Sequence, residues 1–190
     1  MGYAIAAAFV NEGATVNLVS GPVQISLDNQ EVNICKVTSA EEMNQKASAL
    51  FPDMDIIVFA AAVADYRPEN QQVNKIKRTG AEMTLKLVPN EDIAGKLGKQ
   101  RSANQILVGF ALESENGESN AFKKLTDKNL DMIIINKLNE AGAGFNVDTN
   151  KIIIIKKDNN QKEFELKSKD DVASDIINEI FNLMINRSHA

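Results

Sequence analysis

The chain has 190 residues, of which 44% are hydrophobic and 25% charged, the ordinary balance of a globular protein with one full core. A net charge of -5 argues against a general nucleic-acid binder, and no apolar run reaches the length of a membrane span. One cysteine (Cys35, inside an apparent strand) and one histidine (His189, next to last) leave no disulfide framework, no Ser-His or Cys-His nucleophile and no His/Cys zinc site, and no signal-peptide pattern opens the chain. These features fit a cytoplasmic protein whose chemistry rests on Lys, Arg, Asp, Glu, Asn and backbone groups.

The predicted elements alternate. Met1 to Val10 reads as a helix stopped by Asn11-Glu12-Gly13, Ala14 to Ser20 as a strand closed by Gly21-Pro22, Val23 to Gln30 as a polar connection and Glu31 to Val37 as a second strand. Ser39 with Glu42 forms a capping-box pattern for a helix to about Leu50, where Phe51-Pro52 stops it. Asp55 to Val63 is almost wholly apolar and reads as a strand buried on both faces. Residues 64–82 form a long polar, lid-like loop. Met83 to Val88 alternates as a short strand, and Asn90 caps a helix to about Lys99 with Glu91 and Asp92 in its first turn. Gln105 to Ala111 and Leu130 to Asn136 are buried strands flanking a helix from Asn116 to Lys128 that Asn129 ends. A Gly-rich loop, Lys137 to Thr149, contains Gly144-Phe145-Asn146. Lys151 to Lys157 and Lys162 to Lys167, joined at Asp158-Asn159-Asn160, read as a β-hairpin. Ser168 caps a last helix to about Ile185, and residues 186–190 fray. Buried strands alternating with helices give a mostly parallel, three-layer α/β sandwich with an antiparallel edge.

The segment Phe59-Ala60-Ala61-Ala62-Val63-Ala64-Asp65-Tyr66-Arg67-Pro68 organises the rest. Small residues at the carboxyl end of a parallel strand let a ligand lie against the backbone, where open α/β sheets bind ligands. Asp65 adds a carboxylate at the rim, and Lys75-Ile76-Lys77-Arg78 adds charge for phosphate. Each piece alone is ordinary: alanines make room for helices, and K-x-K-R is commonly a solvated loop. The combination and order carry the reading.

The blocks MGYAIA, LVSGPV, AAAVADYRP, KIKR, VPNEDI, VGFALES, KNLDMIIIN and GFNVDTN, in that order, resemble phosphopantothenoylcysteine synthetase, the ligase domain of coenzyme A biosynthesis. The resemblance runs from Met1 to the last helix and implies a single Rossmann-like, nucleotide-binding ligase domain over residues 1–190, usually a homodimer, often with a fused decarboxylase domain upstream. It implies that CTP, carried with Mg²⁺, activates the carboxylate of 4′-phosphopantothenate as an acyl-cytidylate, and that cysteine then displaces CMP. By the same resemblance Ala60, Ala61, Ala62 and Asp65 contact the nucleotide, and Lys75 is the catalytic lysine of a basic lid with Lys77 and Arg78 beside it. Asn90, Glu91, Asp92 and Ile93 match an Asn-Pro-Asp-Ile contact with Glu91 in place of proline. Phe110 lines the base, and Lys124 and Lys128, four apart on one helix face, belong to the nucleotide site. No metal ligands are implied, and Gly144-Phe145-Asn146, Asp148 and Asn150 match without an assigned role.

The family opens with a strand, a Gly-Gly-Thr turn and an Asn-x-Ser-Ser-Gly-Lys segment before the Met-Gly that begins this sequence. Their absence predicts an open slot in the sheet and weak or no turnover. Two other readings remain in view: a Rossmann NAD(P)-dependent oxidoreductase, which lacks support because no G-x-G-x-x-G is present and the first strand ends without an acid, and a non-catalytic nucleotide-binding module. The hairpin from Lys151 to Lys167 is the expected dimer interface, because its apolar edge Ile152-Ile153-Ile154-Ile155 would otherwise be an aggregation hazard.

Overall fold

The computed structural model describes residues 1–25, 27, 31–70, 72, 74–78, 80, 82–113, 117–137 and 147–188. In chain order the elements are α1 (Gly2–Asn11), β1 (Val16–Ser20), β2 (Val32–Lys36), α2 (Ala40–Leu50), a short 3₁₀ turn (Phe51–Asp53), β3 (Ile56–Phe59), β4 (Tyr66–Pro68), β5 (Leu87–Pro89) and α3 (Ile93–Gln100). There follow β6 (Ile106–Glu113), α4 (Gly117–Asp127), β7 (Met132–Lys137), β8 (Thr149–Asn150), β9 (Ile152–Lys156), β10 (Gln161–Glu163), β11 (Lys167–Ser168) and α5 (Lys169–Ser188). No helix among the described residues is long and apolar enough to cross a membrane.

Strand side chains point alternately to the two faces of a sheet, and the isoleucine runs use both. Val108, Met132, Ile134, Ile152 and Ile154 meet α1 and α5 through Ile5, Phe9, Val172, Ile176 and Ile180. Leu107, Ile133, Ile135, Ile153 and Ile155 meet α3 and α4 through Ile93, Leu97, Ala121 and Leu125, with Phe51 and Met43 of the α2 region beside them. The result is the expected α/β sandwich of three layers.

The sheet differs from the expectation of one continuous layer. Its main part has the order β10-β9-β7-β6-β3, with β3, β6 and β7 parallel and β9 and β10 antiparallel. β1 and β2 form a separate parallel pair. Among the described residues β3 therefore has a neighbour on one side only, and it is half-buried along its length where the sequence predicts burial on both faces. It also stops at Phe59, because β6 pairs only Ile56–Phe59 and the alanines beyond have no strand beside them. Ile5 and Phe9 of α1 share one apolar cluster with Val16 of β1 and with Ile56 and Val58 of β3. Among the described residues β1 and β3 share no ladder, and a gap lies between them.

The punctuation agrees closely with the sequence. Gly13 (φ 82°) ends α1 with Ala14 N–H donating to Phe9 O and Gly13 N–H to Val10 O. Asn129 (φ 51°) ends α4 in the same way, through Leu130 N–H to Leu125 O and Asn129 N–H to Thr126 O. Ser39 accepts from Glu42 N–H at 3.1 Å, while Glu42 reaches back to Thr38 N–H at 2.7 Å. Ser168 accepts from Asp171 N–H at 3.1 Å, and α5 runs three residues past the expected Ile185.

Two hairpin expectations need correction. Ile152–Ile155 are 0–3% exposed and β9 is flanked by β7 and β10, so this run is core and no exposed edge. The returning strand is only Gln161–Glu163, because Lys167–Ser168 turns away to pair with Thr149–Asn150. Likewise β5 begins at Leu87 where alternation predicts Met83, since only the stretch facing β4 gains ladder partners.

Candidate functional site

A broad cleft of about 2040 Å³ opens at the gap between β1 and β3. Its walls include every nucleotide-site residue that the sequence nominates outside the basic lid: Ala60, Ala61, Ala62 and Asp65 after β3, Asn90 to Ile93 before and at the start of α3, Phe110 on β6, and Lys124 and Lys128 of the α4 region. Residues separated by more than sixty positions thus converge at the carboxyl end of the parallel strands, where ligands sit in open α/β sheets. Ala61, Ala62 and Asp65 are exposed to the cleft, and Gly2 at the start of α1 lies under Ala60, 3.8 Å from its Cβ to an ideal Cβ on the glycine.

Hydrogen bonds fix the mouth of the cleft. Asn90 N–H donates to Asp65 O at 2.8 Å, and Asn90 Nδ2 donates to Ala64 O at 2.8 Å. Arg67 Nη1 donates to Pro89 O at 2.8 Å and to Asn90 Oδ1 at 3.2 Å. Asn90 is therefore spent on the rim and does not cap α3. The cap is Asp92, whose Oδ1 accepts from Gly95 N–H at 3.1 Å, a correction of two positions caused by the tie between Asn90 and Asp65. Glu91 and Asp92 thus precede the first turn of α3.

Lys128 Nζ lies 2.8 Å from Asp92 Oδ1 and links the end of α4 to the start of α3. Burial acts to raise the Asp92 carboxyl pKa, but the Lys128 ammonium, the Gly95 N–H and the charge of Lys99 together hold it below the ordinary carboxylate value. The two helices touch closely here. A Cβ on Gly98 would lie 1.9 Å from Lys128 O, so glycine permits the approach that brings Lys128 to Asp92. Lys96 Nζ donates to Asn44 Oδ1 at 3.2 Å and ties α3 to α2. Phe110 is half-buried, which suits a ring with one face in the core and one toward the cleft.

Lys75, Lys77 and Arg78 are exposed and do not line the cleft. Gly144-Phe145-Asn146 lies outside the described residues. Asp148 is exposed, its carbonyl accepting from Lys169 N–H. Asn150 is buried, donating to Asn136 Oδ1 at 3.0 Å and accepting from Lys151 N–H at 3.0 Å, a turn-fixing role. Among the described residues no group of three His, Cys, Asp or Glu side chains is placed to hold a metal ion.

Sequence reasoning passed over three cleft residues. Arg67 was visible only as part of a polar strand exit. Tyr3 and Ser20, whose hydroxyls are 2.9 Å apart, stand on α1 and the carboxyl end of β1 and line the same cleft. Their only sequence signal was position, since Ser20 precedes the Gly21-Pro22 turn.

With this geometry in hand, comparison with known proteins is direct. Residues 1–184 match the DNA/pantothenate metabolism flavoprotein C-terminal domain. A coenzyme A biosynthesis bifunctional protein CoaBC of Bacillus subtilis is 41% identical over 180 residues, 95% of this chain and 44% of that protein. A protein of an unknown prokaryotic organism named cysteine/cysteine sulfinic acid decarboxylase is 49% identical over 184 residues, 97% of this chain and 51% of that protein. The crystal structure of the C-terminal domain of a CoaBC protein superposes with a TM-score of 0.81 at 35% identity, covering 97% of this chain and 84% of that one. The chain spans about half the length of the curated relatives it matches. It belongs to the DNA/pantothenate metabolism flavoprotein C-terminal domain family.

Proposed function

We propose that this domain is a phosphopantothenate–cysteine ligase that uses CTP, in the cytoplasm, as a step of coenzyme A biosynthesis. The observation that carries the proposal is the cleft itself: the nucleotide residues implied by the family, Lys75 apart, line one cavity in a chain 41% identical to a CoaBC protein. The carboxylate of 4′-phosphopantothenate attacks the α-phosphorus of CTP, and the bond to pyrophosphate breaks. The amine of cysteine then attacks the acyl carbon, and CMP leaves with the bonding electrons.

Such a displacement builds negative charge on phosphate, so fixed cations and aimed donors are what the protein supplies. Lys128 and Lys124 stand on one wall, with Asp65 at the rim for ribose or base. The alanine backbone after β3 allows close approach of the nucleotide. Lys75 is the catalytic cation of the basic lid, brought over the cleft when substrate binds. Mg²⁺ comes with the triphosphate of the substrate. The slot between β1 and β3 takes one further strand, whose glycine-rich turn completes the phosphate end of the site. In longer relatives of this kind a decarboxylase domain is fused upstream, and the ligase works as a homodimer.

The test is calorimetric titration with CTP, ATP and NADPH, each with Mg²⁺, followed by a pyrophosphate-release assay with 4′-phosphopantothenate and cysteine on a chain carrying the strand that fills the slot. Saturable binding of CTP alone and release of pyrophosphate that falls about 10²-fold or more in Lys75→Ala, with CTP binding retained, are expected. NADPH binding without CTP binding would instead support an oxidoreductase. CTP binding with no pyrophosphate release would leave a nucleotide-binding module.

A further inference from the structure

The side chain of Asn90, at the mouth of the cleft, is held at both of its polar atoms. Nδ2 donates to Ala64 O at 2.8 Å, and Oδ1 accepts from Arg67 Nη1 at 3.2 Å. A carbonyl can only accept and a guanidinium can only donate, so the two contacts admit one orientation of the amide. Half a turn would set oxygen against oxygen and N–H against N–H. Arg67 is anchored in turn. The same Nη1 donates to Pro89 O at 2.8 Å, and Arg67 stands opposite Val88 in the β4–β5 ladder. The arginine is half-buried, and among the described residues no carboxylate pairs with it. It acts at the rim by orienting neutral acceptors with its rigid fork, not by neutralising a charge.

A side-chain amide carries two donor hydrogens and two acceptor lone pairs. Ala64 and Arg67 take one of each, so Asn90 keeps one N–H and one lone pair, and it lines the cleft. We propose that Arg67 is a positioning residue for base selection: by locking the Asn90 amide it fixes the order of that remaining donor and acceptor, and the cleft takes an amino pyrimidine nucleotide in preference to the oxo one. Cytosine presents an amino donor at C4 beside an acceptor at N3. Uracil presents the reverse, an acceptor at C4 beside an N–H at N3. An amide free to turn serves either base, whereas a locked one leaves unpaired polar groups against the wrong base and rejects it.

The charge layout sets the base, not the phosphates, at Asn90. The Asp65 carboxylate is exposed at the rim, on the residue whose carbonyl accepts from Asn90 N–H, and it would repel phosphate. Lys124 and Lys128 stand on the α4 wall, where phosphate is favoured. That the selected base is cytosine rests on the ligase reading; that Arg67 locks the amide does not.

The lock is read first without nucleotide, by ¹⁵N relaxation of the Asn90 side-chain amide. The order parameter is expected near the rigid-backbone value of about 0.85 in wild type and below about 0.6 in Arg67→Met, which keeps an apolar stem and removes the donors. Equal order in the two proteins would overturn the lock. Base selection is then read by titrating CTP and UTP, each with Mg²⁺, into the chain. Wild type is expected to prefer CTP, and the ratio of the two dissociation constants is expected to shrink roughly tenfold in Arg67→Met, with an unchanged circular dichroism spectrum. Asn90→Ala is expected to show the same reduced ratio, and adding Arg67→Met to it is expected to change the ratio by less than about twofold, because the arginine acts through the amide. An arginine that only braced the ribbon through Pro89 O would weaken both nucleotides alike. An unchanged ratio in Arg67→Met, or a further tenfold fall in the double variant, would overturn the positioning role. A wild type that binds CTP and UTP equally would overturn base selection and leave the ligase reading standing. A wild type that binds neither would overturn base selection together with the ligase reading, and the relaxation measurement would still decide the lock.

Discussion

Asp131 is the sharpest test of how the fold is held. Its side chain is 3% exposed and lies at the amino end of β7, between Arg101, 2.8 Å away and 10% exposed, and Arg187 near the end of α5. It also accepts from Leu107 N–H at 2.9 Å. Replacing Asp131 with alanine strands a buried N–H and leaves the Arg101 guanidinium without its counter-charge. Arg101 keeps its bonds to the carbonyls of Asn129 and Gln105, which moderates the loss. Breaking a buried pair costs roughly 3–5 kcal/mol, so about 4 kcal/mol is expected here. Arg187→Ala is the control: the arginine is 37% exposed and leaves Asp131 still paired with Arg101, so about 1 kcal/mol is expected. With a urea slope near 2 kcal/mol/M, the midpoints fall by about 2 M and about 0.5 M respectively. A loss below about 1 kcal/mol for Asp131→Ala, or an equal loss for Arg187→Ala, refutes the reasoning. The network stands at the opposite end of the strands from Ala60–Asp65 and Asn90, so the folded Asp131→Ala protein should bind CTP as wild type does.

Gly98→Ala drives a methyl group into Lys128 O, a backbone atom that cannot swing aside, and is expected to cost about 1–3 kcal/mol by overpacking and to weaken nucleotide binding by displacing Lys128; thermal melting and calorimetry report both, and a wild-type melting temperature would refute the close contact. Burial acts to raise the pKa of Glu179, but hydrogen bonds from Lys156 and Lys162 outweigh it and hold the carboxyl low in the folded state. Its stabilising contribution is therefore full above the unfolded value of about 4.3 and is lost as pH falls through the lower folded value. Urea midpoints between pH 6 and pH 3 should fall less steeply in Glu179→Gln than in wild type, and identical slopes would remove Glu179 from the account.

What the sequence disclosed depended on how local the cause was. The apolar runs Ile106–Ala111 and Met132–Ile135 needed only hydrophobicity and length, and Gly13, Asn129, Ser39 and Ser168 end or begin helices through bonds to residues within five positions. The site was legible because a chain of short blocks matched a family, and the cleft unites those blocks. The failures all involve a distant partner. Asn90 reads as a cap until its amide meets Ala64, which leaves the cap to Asp92. Ile152–Ile155 reads as an exposed edge until β10 and β7 close on it from both sides. Asp131 in Leu-Asp-Met-Ile gives no sign that two arginines, one of them fifty-six residues away, converge on it.

The slot in the sheet makes the last prediction, and it follows from strand order. β6 and β7 have neighbours on both sides and bury their side chains against helices on both faces, so their amides open only with the whole fold. Among the described strands β1 and β2 pair only with each other, with α1 and α2 against them. Their opening breaks one ladder and leaves the five-stranded core intact, which is the condition for a sub-global unit of lower stability. Hydrogen exchange should therefore rank β7 and β6 slowest, with β1 and β2 faster as a cooperative group. A strand bound in the slot would give β1 and β3 a shared neighbour, merge the two sheets, and slow both edges together. CTP affinity should rise in the same titration, because the cleft walls on α1 and after β3 would then be held at one spacing. Equal protection of β1 and β7 before any strand is added would mean that α1 alone already locks the two sheets, and the slot would have no bearing on the site.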